Sequence, residues 1–129
     1  MRKIAPLILL ALVVPMLLGA CSGGTQPAAK AVEDYVNALV AKNADRLSAL
    51  SCANWESSAL TEMDSFQAVQ IRLEGLACTV SGTDGANTLV SCQGKIIASY
   101  NNEDQTFDLS LRTYQVVQQG GNYLVCGYK

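Results

Sequence analysis

The apolar positions of this chain change period along its length, and the changes mark its elements. From Pro27 onward Ala28, Val32, Tyr35, Val36, Leu39 and Val40 recur every three or four residues, while Lys30, Glu33, Asp34 and Asn37 fill other positions. That spacing predicts an amphipathic helix reaching Lys42, with a proline in its first turn. Asn43 or Asp45 is the expected cap of a second, short helix carrying Leu47, Leu50 and Cys52. Between Trp55 and Val69, the residues Leu60, Met63, Phe66 and Val69 keep a spacing of three, which predicts a helical or irregular segment.

Beyond Val69 the period becomes two. Ile71 and Leu73 share one parity, and Leu76, Cys78 and Val80 take the other. The slip at Glu74-Gly75 predicts a glycine bulge that returns the strand to the same face. Val90, Cys92, Ile96, Ala98 and Tyr100 alternate in the next strand, whose Gly94 suggests curvature, and Asn101-Asn102-Glu103-Asp104 turns the chain. Phe107, Leu109 and Leu111 alternate before Tyr114 and Val116 switch parity, predicting a second bulge near Arg112-Thr113. Gly120-Gly121 makes the last turn before Tyr123–Tyr128. Helices first and strands after give an α+β fold: N-terminal helices packed on a curved, cone-like, four-stranded antiparallel meander.

Length and composition narrow the chemistry. A chain of 129 residues allows one domain. It has no histidine, so a Ser-His-Asp triad, a Cys-His dyad and His-ligated zinc are all excluded. The net charge of −2 argues against nucleic acid as a partner, since phosphate binders concentrate Lys and Arg. No phosphate loop, dinucleotide fingerprint or nucleophile elbow occurs.

The N-terminus has three parts: a basic Arg2-Lys3, an uncharged run from Ile4 to Ala20, and the small residues Gly19-Ala20 before Cys21. This is the layout of a secretory signal peptide over residues 1–20. Leu18-Gly19-Ala20-Cys21 resembles the lipobox of bacterial lipoproteins. The resemblance implies that Cys21 carries a diacylglyceryl group and becomes the first residue of the mature chain, followed by a lipidated tether over 21–26 and a single domain over 27–129. Two or three acyl chains make a durable anchor where one is marginal. Loss of Arg2 and Lys3 leaves seven basic residues against eleven acidic ones, a formal charge of −4 that stands the domain off anionic lipid. The expected location is extracytoplasmic, on the outer leaflet of the cell membrane or on the outer membrane of a two-membrane cell.

Of five cysteines, Cys52, Cys78, Cys92 and Cys126 remain after the anchor, an even set in an oxidising compartment. No C-x-x-C spacing favours zinc. Folding the chain back about Gly85 sets position 78 opposite 92, where a cross-strand disulfide fits. Cys52 and Cys126 form the remaining pair, joining the helical half to the last strand.

The opening Val32-Glu33-Asp34-Tyr35-Val36-Asn37-Ala38-Leu39 helix with Asp45-Arg46-Leu47, and the closing Gly120-Gly121-Asn122-Tyr123-Leu124-Val125-Cys126, resemble the nuclear-transport-factor-2-like (cystatin-like) cone fold. Ketosteroid-isomerase-like and scytalone-dehydratase-like proteins share that fold. The resemblance implies a curved sheet wrapped around the helices, with room for a pocket, and no particular activity. Catalytic members place an acid–base Asp or His and polar oxyanion donors inside the cone. The residues of that kind here are Asp34, Asp108, Tyr35, Tyr100 and Tyr114. Asp34 falls on the solvated side of the first helix and Asp108 between apolar strand positions, so both read as surface carboxylates. The tyrosines read as core or rim residues. Asn101–Asp104 is rich in oxygen ligands but lacks the spacing of a calcium loop. Trp55 is expected to pack near the disulfide at Cys52. No catalytic, cofactor or metal residue is assigned. The expected function is a non-enzymatic binding or adaptor domain, anchored to the membrane through Cys21, whose partner is another protein or a small apolar ligand. The alternative is a small isomerase- or dehydratase-like enzyme using a carboxylate in the cone.

Overall fold

The helical half forms where the three-and-four spacing stands. In the computed structural model, which describes residues 26–129, helix α1 (Pro27–Val40) follows Gln26 with proline at its start. Its buried stripe comprises Ala28, Ala29, Ala31, Val32, Tyr35, Val36, Ala38 and Leu39. The signal segment, the lipobox and the tether through Thr25 lie outside the described residues.

Lys42, at a positive φ of 55°, ends α1. Its N–H donates to the Leu39 carbonyl and that of Asn43 to the Ala38 carbonyl, the paired bonds of a Schellman stop. Helix α2 (Ala44–Ala49) is capped by Asn43, whose side chain accepts from the Arg46 N–H. Helix α3 (Glu56–Ser65) buries Ala59 and Met63.

Strands β1 (Gln70–Asp84) and β2 (Asn87–Tyr100) form a long hairpin. Its register shifts between Glu74 and Ala77, where the parity slip places the bulge. Gly94 faces that bulge, and a Cβ there would lie 2.6 Å from the Glu74 carbonyl oxygen, so no side chain fits. As an edge strand β1 leaves backbone N–H groups open, and α1 and its cap answer two of them. Glu33 accepts from the Cys78 N–H and Gln26 from the Val80 N–H, each at 3.1 Å.

The sheet has five strands and not the four expected. Strand β3 (Glu103–Asp108) pairs with β2 over Lys95–Tyr100, and β4 (Thr113–Gln119) pairs with β2 over Thr88–Ser91. What the alternation presents as one strand is divided by a 3-10 turn at Leu109–Leu111. The Asp108 side chain accepts from the Ser110 N–H and stabilises that turn. The predicted bulge near Arg112 is this interruption. Strand β5 (Asn122–Tyr128) returns along β4 after Gly120-Gly121, both at positive φ as a two-residue hairpin demands.

Both cysteine pairs lie at disulfide distance. Cys78 and Cys92 are direct cross-strand partners with Cα atoms 4.0 Å apart, and Cys52 and Cys126 have theirs at 4.9 Å. Beside the second pair, the Cys52 N–H donates to Val125 and the Val125 N–H to Leu50, which ties the end of α2 to β5. The disulfides suggest an oxidising, extracytoplasmic compartment. Among the described residues no helix is long and apolar enough to cross a membrane. The helices cover one sheet face, and Leu39, Leu47, Ile96, Leu109, Val116 and Val125 fill the space between.

Candidate functional site

Two places on the helix-covered face carry chemistry, one closed and one open. The closed one begins at Tyr35, buried on α1, whose hydroxyl accepts from the Trp55 indole N–H at 3.0 Å. Tyr114, buried on β4, meets Tyr35 edge-on with ring centroids 6.2 Å apart. Tyr128 on β5 lies edge-on to Tyr114 at 5.5 Å and to Trp55 at 5.6 Å. Trp55 also packs over Gly127 of β5, 3.5 Å from where a Cβ would stand, an ordinary van der Waals contact.

Arg112, just after the 3-10 turn, joins these rings to a carboxylate. Its guanidinium carbon sits 4.2 Å from the Tyr128 ring centroid, a cation–π contact. Its Nη1 donates to Glu62 of α3 at 2.8 Å and to the Tyr114 hydroxyl at 3.4 Å. The side chains of Arg112 and Glu62 are only 16% and 14% exposed, so the pair is largely taken out of water. Burial pushes the Tyr114 phenol up to about 12, with Arg112 opposing. Burial also raises Tyr35 well above its ordinary value, with the Trp55 bond opposing, and raises Tyr128 with help from the Glu62 charge. Burial alone would lower Arg112, but Tyr114 and Glu62 outweigh it and raise its proton affinity. All three phenols are therefore neutral hydroxyls near neutral pH, beside a fixed ion pair.

The open place lies ten residues along β2 from Val90, the cross-strand partner of Tyr114. Val90, Cys92, Ile96 and Ala98 form a buried row on the helix-covered face, and Tyr100 continues that row yet is 60% exposed. The strand outruns the helices there. A cleft of about 800 Å³ opens beside it, lined among others by Gln67, Gln70, Ser99, Tyr100, Asn101 and Asn102. Asn101 and Asn102 both take positive φ, which fixes a tight two-residue turn. Across the cleft, Lys42 Nζ donates to the Val69 carbonyl at 2.8 Å and holds the loop between α3 and β1. Asp104, also in the lining, accepts from Ser99 and pairs with Arg72 at 3.3 Å. Those two partners, Ser99 first, hold its carboxyl below the usual range.

The residues singled out from the sequence fall in different places. Asp34 pairs with Lys30 at 2.9 Å and Arg46 at 3.7 Å on the surface. Asp108 is exposed, and its carboxyl is held low by bonds from Ser110. Tyr35 and Tyr114 come together in the cluster, while Tyr100 stands apart at the cleft. Among the described residues no group of three or more acidic, Cys or His side chains is placed to hold a metal ion, the Asn101–Asp104 turn included. Sequence reasoning misses Glu62 and Arg112. Glu62 is one of several polar positions on a weakly patterned helix, and Arg112 sits where the strand parity breaks; only that break marks the position.

No protein-family model matches this chain, and no curated protein does. Several solved structures do match its shape. A ketosteroid isomerase candidate from Shewanella frigidimarina aligns with a TM-score of 0.55 at 14% identity, over 80% of this chain and 93% of its own. Aln2 from a Streptomyces species gives 0.55 at 12%, over 79% and 85%. A SEC-C motif containing protein from Rhodopseudomonas palustris gives 0.52 at 11%, over 81% and 80%. The expectation that the chain is not an enzyme is corrected by this finding. It was drawn from the missing histidine and the surface placement of Asp34 and Asp108, yet the fold is shared with an isomerase candidate, and a largely buried carboxylate, Glu62, shares the Arg112 guanidinium with the Tyr114 hydroxyl. The α+β architecture is of the nuclear-transport-factor-2-like, ketosteroid-isomerase-like fold type.

Proposed function

We propose that this chain is a lipid-anchored extracytoplasmic domain, held at the envelope through Cys21, that binds a ligand in the cleft beside Tyr100. The observation that carries the reading is the uncovered end of the core-facing row on β2. The space between helices and sheet is filled by large side chains, whereas an aromatic of the same row stands exposed at a cleft of about 800 Å³. Exposed aromatics rimmed by polar groups mark recognition surfaces. The lipobox motif and the two disulfides support the envelope location. The anchor is tested by metabolic labelling with a clickable fatty acid: label is expected in the full chain and not in Cys21→Ser, and label persisting in that variant would refute the anchor. The cleft is tested by placing a photo-crosslinking amino acid at Asn102 in cells. Capture of a ligand there, competed away when Tyr100 is truncated, is the expected result.

A second reading, an isomerase-like step inside the cone, is favoured by Glu62 and the neutral Tyr114 hydroxyl meeting at the same Arg112 nitrogen. A carboxylate could take a proton next to a carbonyl while a phenol steadies the enolate oxygen. That chemistry requires Glu62 to leave Arg112. Turnover of a β,γ-unsaturated ketosteroid to its conjugated isomer, lost in Glu62→Gln, would establish it.

A further inference from the structure

We infer that the cleft beside Tyr100 takes a neutral, polyhydroxylated ligand, a segment of a glycan chain. The inference rests on the cleft being the binding site and adds the chemical class of what it binds. Four of the lining side chains, Gln67, Gln70, Asn101 and Asn102, are carboxamides, and all four are exposed. A carboxamide offers both an acceptor oxygen and two donor hydrogens. Neighbouring hydroxyls of a sugar ring ask for that combination, since each both donates and accepts. Phosphates and cations ask for something else: concentrated charge of one sign. The one charged side chain in the lining, Asp104, is already engaged by Arg72 and Ser99. Across the cleft the Lys42 ammonium is spent on the Val69 carbonyl, so the lining gathers no cluster of like charge for an ion.

Tyr100 supplies the apolar half of the match. The face of an aromatic ring is electron-rich and favours weakly positive hydrogens lying over it. One face of a pyranose ring carries such C–H groups, while its hydroxyls project around the edge. A sugar stacked on Tyr100 would therefore turn its edge toward the amides of the Asn101-Asn102 turn and of the Gln67–Gln70 segment. A protein partner would instead want several buried anchors, and here one exposed aromatic stands among polar groups. Both walls are also fixed before any ligand arrives. The two-residue turn holds Asn101 and Asn102 at positive φ, and Lys42 pins the opposite loop at Val69. Preformed walls lower the ordering cost that limits small-ligand affinity. The volume of about 800 Å³ lies within the range of small-ligand sites.

Titration calorimetry of the detergent-solubilised full chain tests this, with β-1,4-linked tetrasaccharides of N-acetylglucosamine and of glucose as the probes. Binding of at least one is expected, with Tyr100→Phe unchanged and Tyr100→Ala weaker by roughly tenfold or more, the effect of removing one well-placed aromatic anchor. The two sugars separate an acetamido-requiring glycan from one read by hydroxyls alone. Near-ultraviolet circular dichroism checks that Tyr100→Ala keeps its fold, as a side chain 60% exposed should allow. Sugar binding that survives Tyr100→Ala and Asn102→Ala overturns the proposal. So does no heat with either sugar at millimolar concentration. In that last case, a non-glycan ligand captured at Asn102 in cells would preserve the cleft and remove only its ligand class, while no capture would remove both.

Discussion

The cluster around Tyr114 and the cleft beside Tyr100 share one face of the sheet and differ in what lies over them. At Tyr114 the helices are present, so aromatic rings pack edge to edge and the polar groups they bury find one another: Arg112 with Glu62, and Tyr35 with Trp55. At Tyr100 the helices have ended, so the same sheet row meets water and four exposed carboxamides surround it, with Asp104 paired to Arg72. Burial obliges polar groups to pair, and exposure leaves them free for a ligand. The contrast sets a region that holds the fold against the region proposed to bind, a division that substitutions in each can break.

The largest effect is expected from the disulfide beside the closed cluster. Cys52–Cys126 spans 74 residues and Cys78–Cys92 only 14. In the loop-entropy account, removing them by paired Cys→Ala changes costs about 4.4 and about 3 kcal/mol respectively. Urea denaturation should preserve that order. If the hairpin disulfide proves the costlier of the two, loop length is not what governs these crosslinks, and the closed region loses its claim to hold the stability.

Next comes the ion pair. Glu62→Ala strands a largely buried guanidinium and should cost about 3 kcal/mol, as should Arg112→Ala in the other direction. The double change Glu62→Met with Arg112→Leu removes both charges and should recover most of the loss. Beside the cleft, the exposed Arg72–Asp104 pair offers the control: Asp104→Asn should cost no more than about 0.5 kcal/mol. Thermal melts of the four variants decide it. Equal costs in the two regions would erase the distinction between them.

How legible was this from the sequence? The helix over Pro27–Val40, the bulge at Glu74-Gly75 and the facing of Cys78 and Cys92 follow from spacing, because burial on one face imposes period on apolar residues. The split of β3 from β4 does not. Leu109 and Leu111 continue the strand alternation, and the turn there depends on the Asp108 side chain bonding to Ser110, a local polar event that hydrophobic periodicity does not register. For the same reason Glu62 and Arg112 stay hidden: they lie 50 residues apart, and each is polar in a segment with little pattern. Tyr100 shows the reverse case. Its parity marks it as core, and only the length of β2 relative to the helices exposes it.

A smaller effect concerns alkaline pH. The Tyr114 phenol is held up to about 12 in the fold, against about 10 when unfolded, so the folded state favours the neutral hydroxyl. Its contribution is complete below pH 10 and is lost as the pH rises from there through about 12. For Tyr114 alone this amounts to roughly 2 to 3 kcal/mol, with Tyr35 and Tyr128 acting in the same direction. Urea midpoints measured from pH 8 to 12 should stay level at first and then fall. Tyr114→Phe should flatten the fall. A fall equally steep in Tyr114→Phe would mean that the buried phenols do not govern it.

The smallest expected effect lies at Lys42, which belongs to both regions' scaffolding. Its backbone occupies the left-handed conformation that ends α1, a cost of about 1 kcal/mol for a residue with a Cβ. Its Nζ meanwhile holds the Val69 carbonyl, a bond worth about 1 kcal/mol net. Lys42→Gly removes the strain together with the bond, so the two changes nearly cancel and stability should move by less than about 0.5 kcal/mol. Lys42→Met keeps the strain and loses the bond, and should cost about 1 kcal/mol. Neither variant retains the clamp on the cleft wall, so amide exchange at Val69 should quicken in both while the core strands stay protected. If exchange at Val69 is unchanged, Lys42 does not hold that wall, and a cleft preformed for its ligand loses one of its two supports.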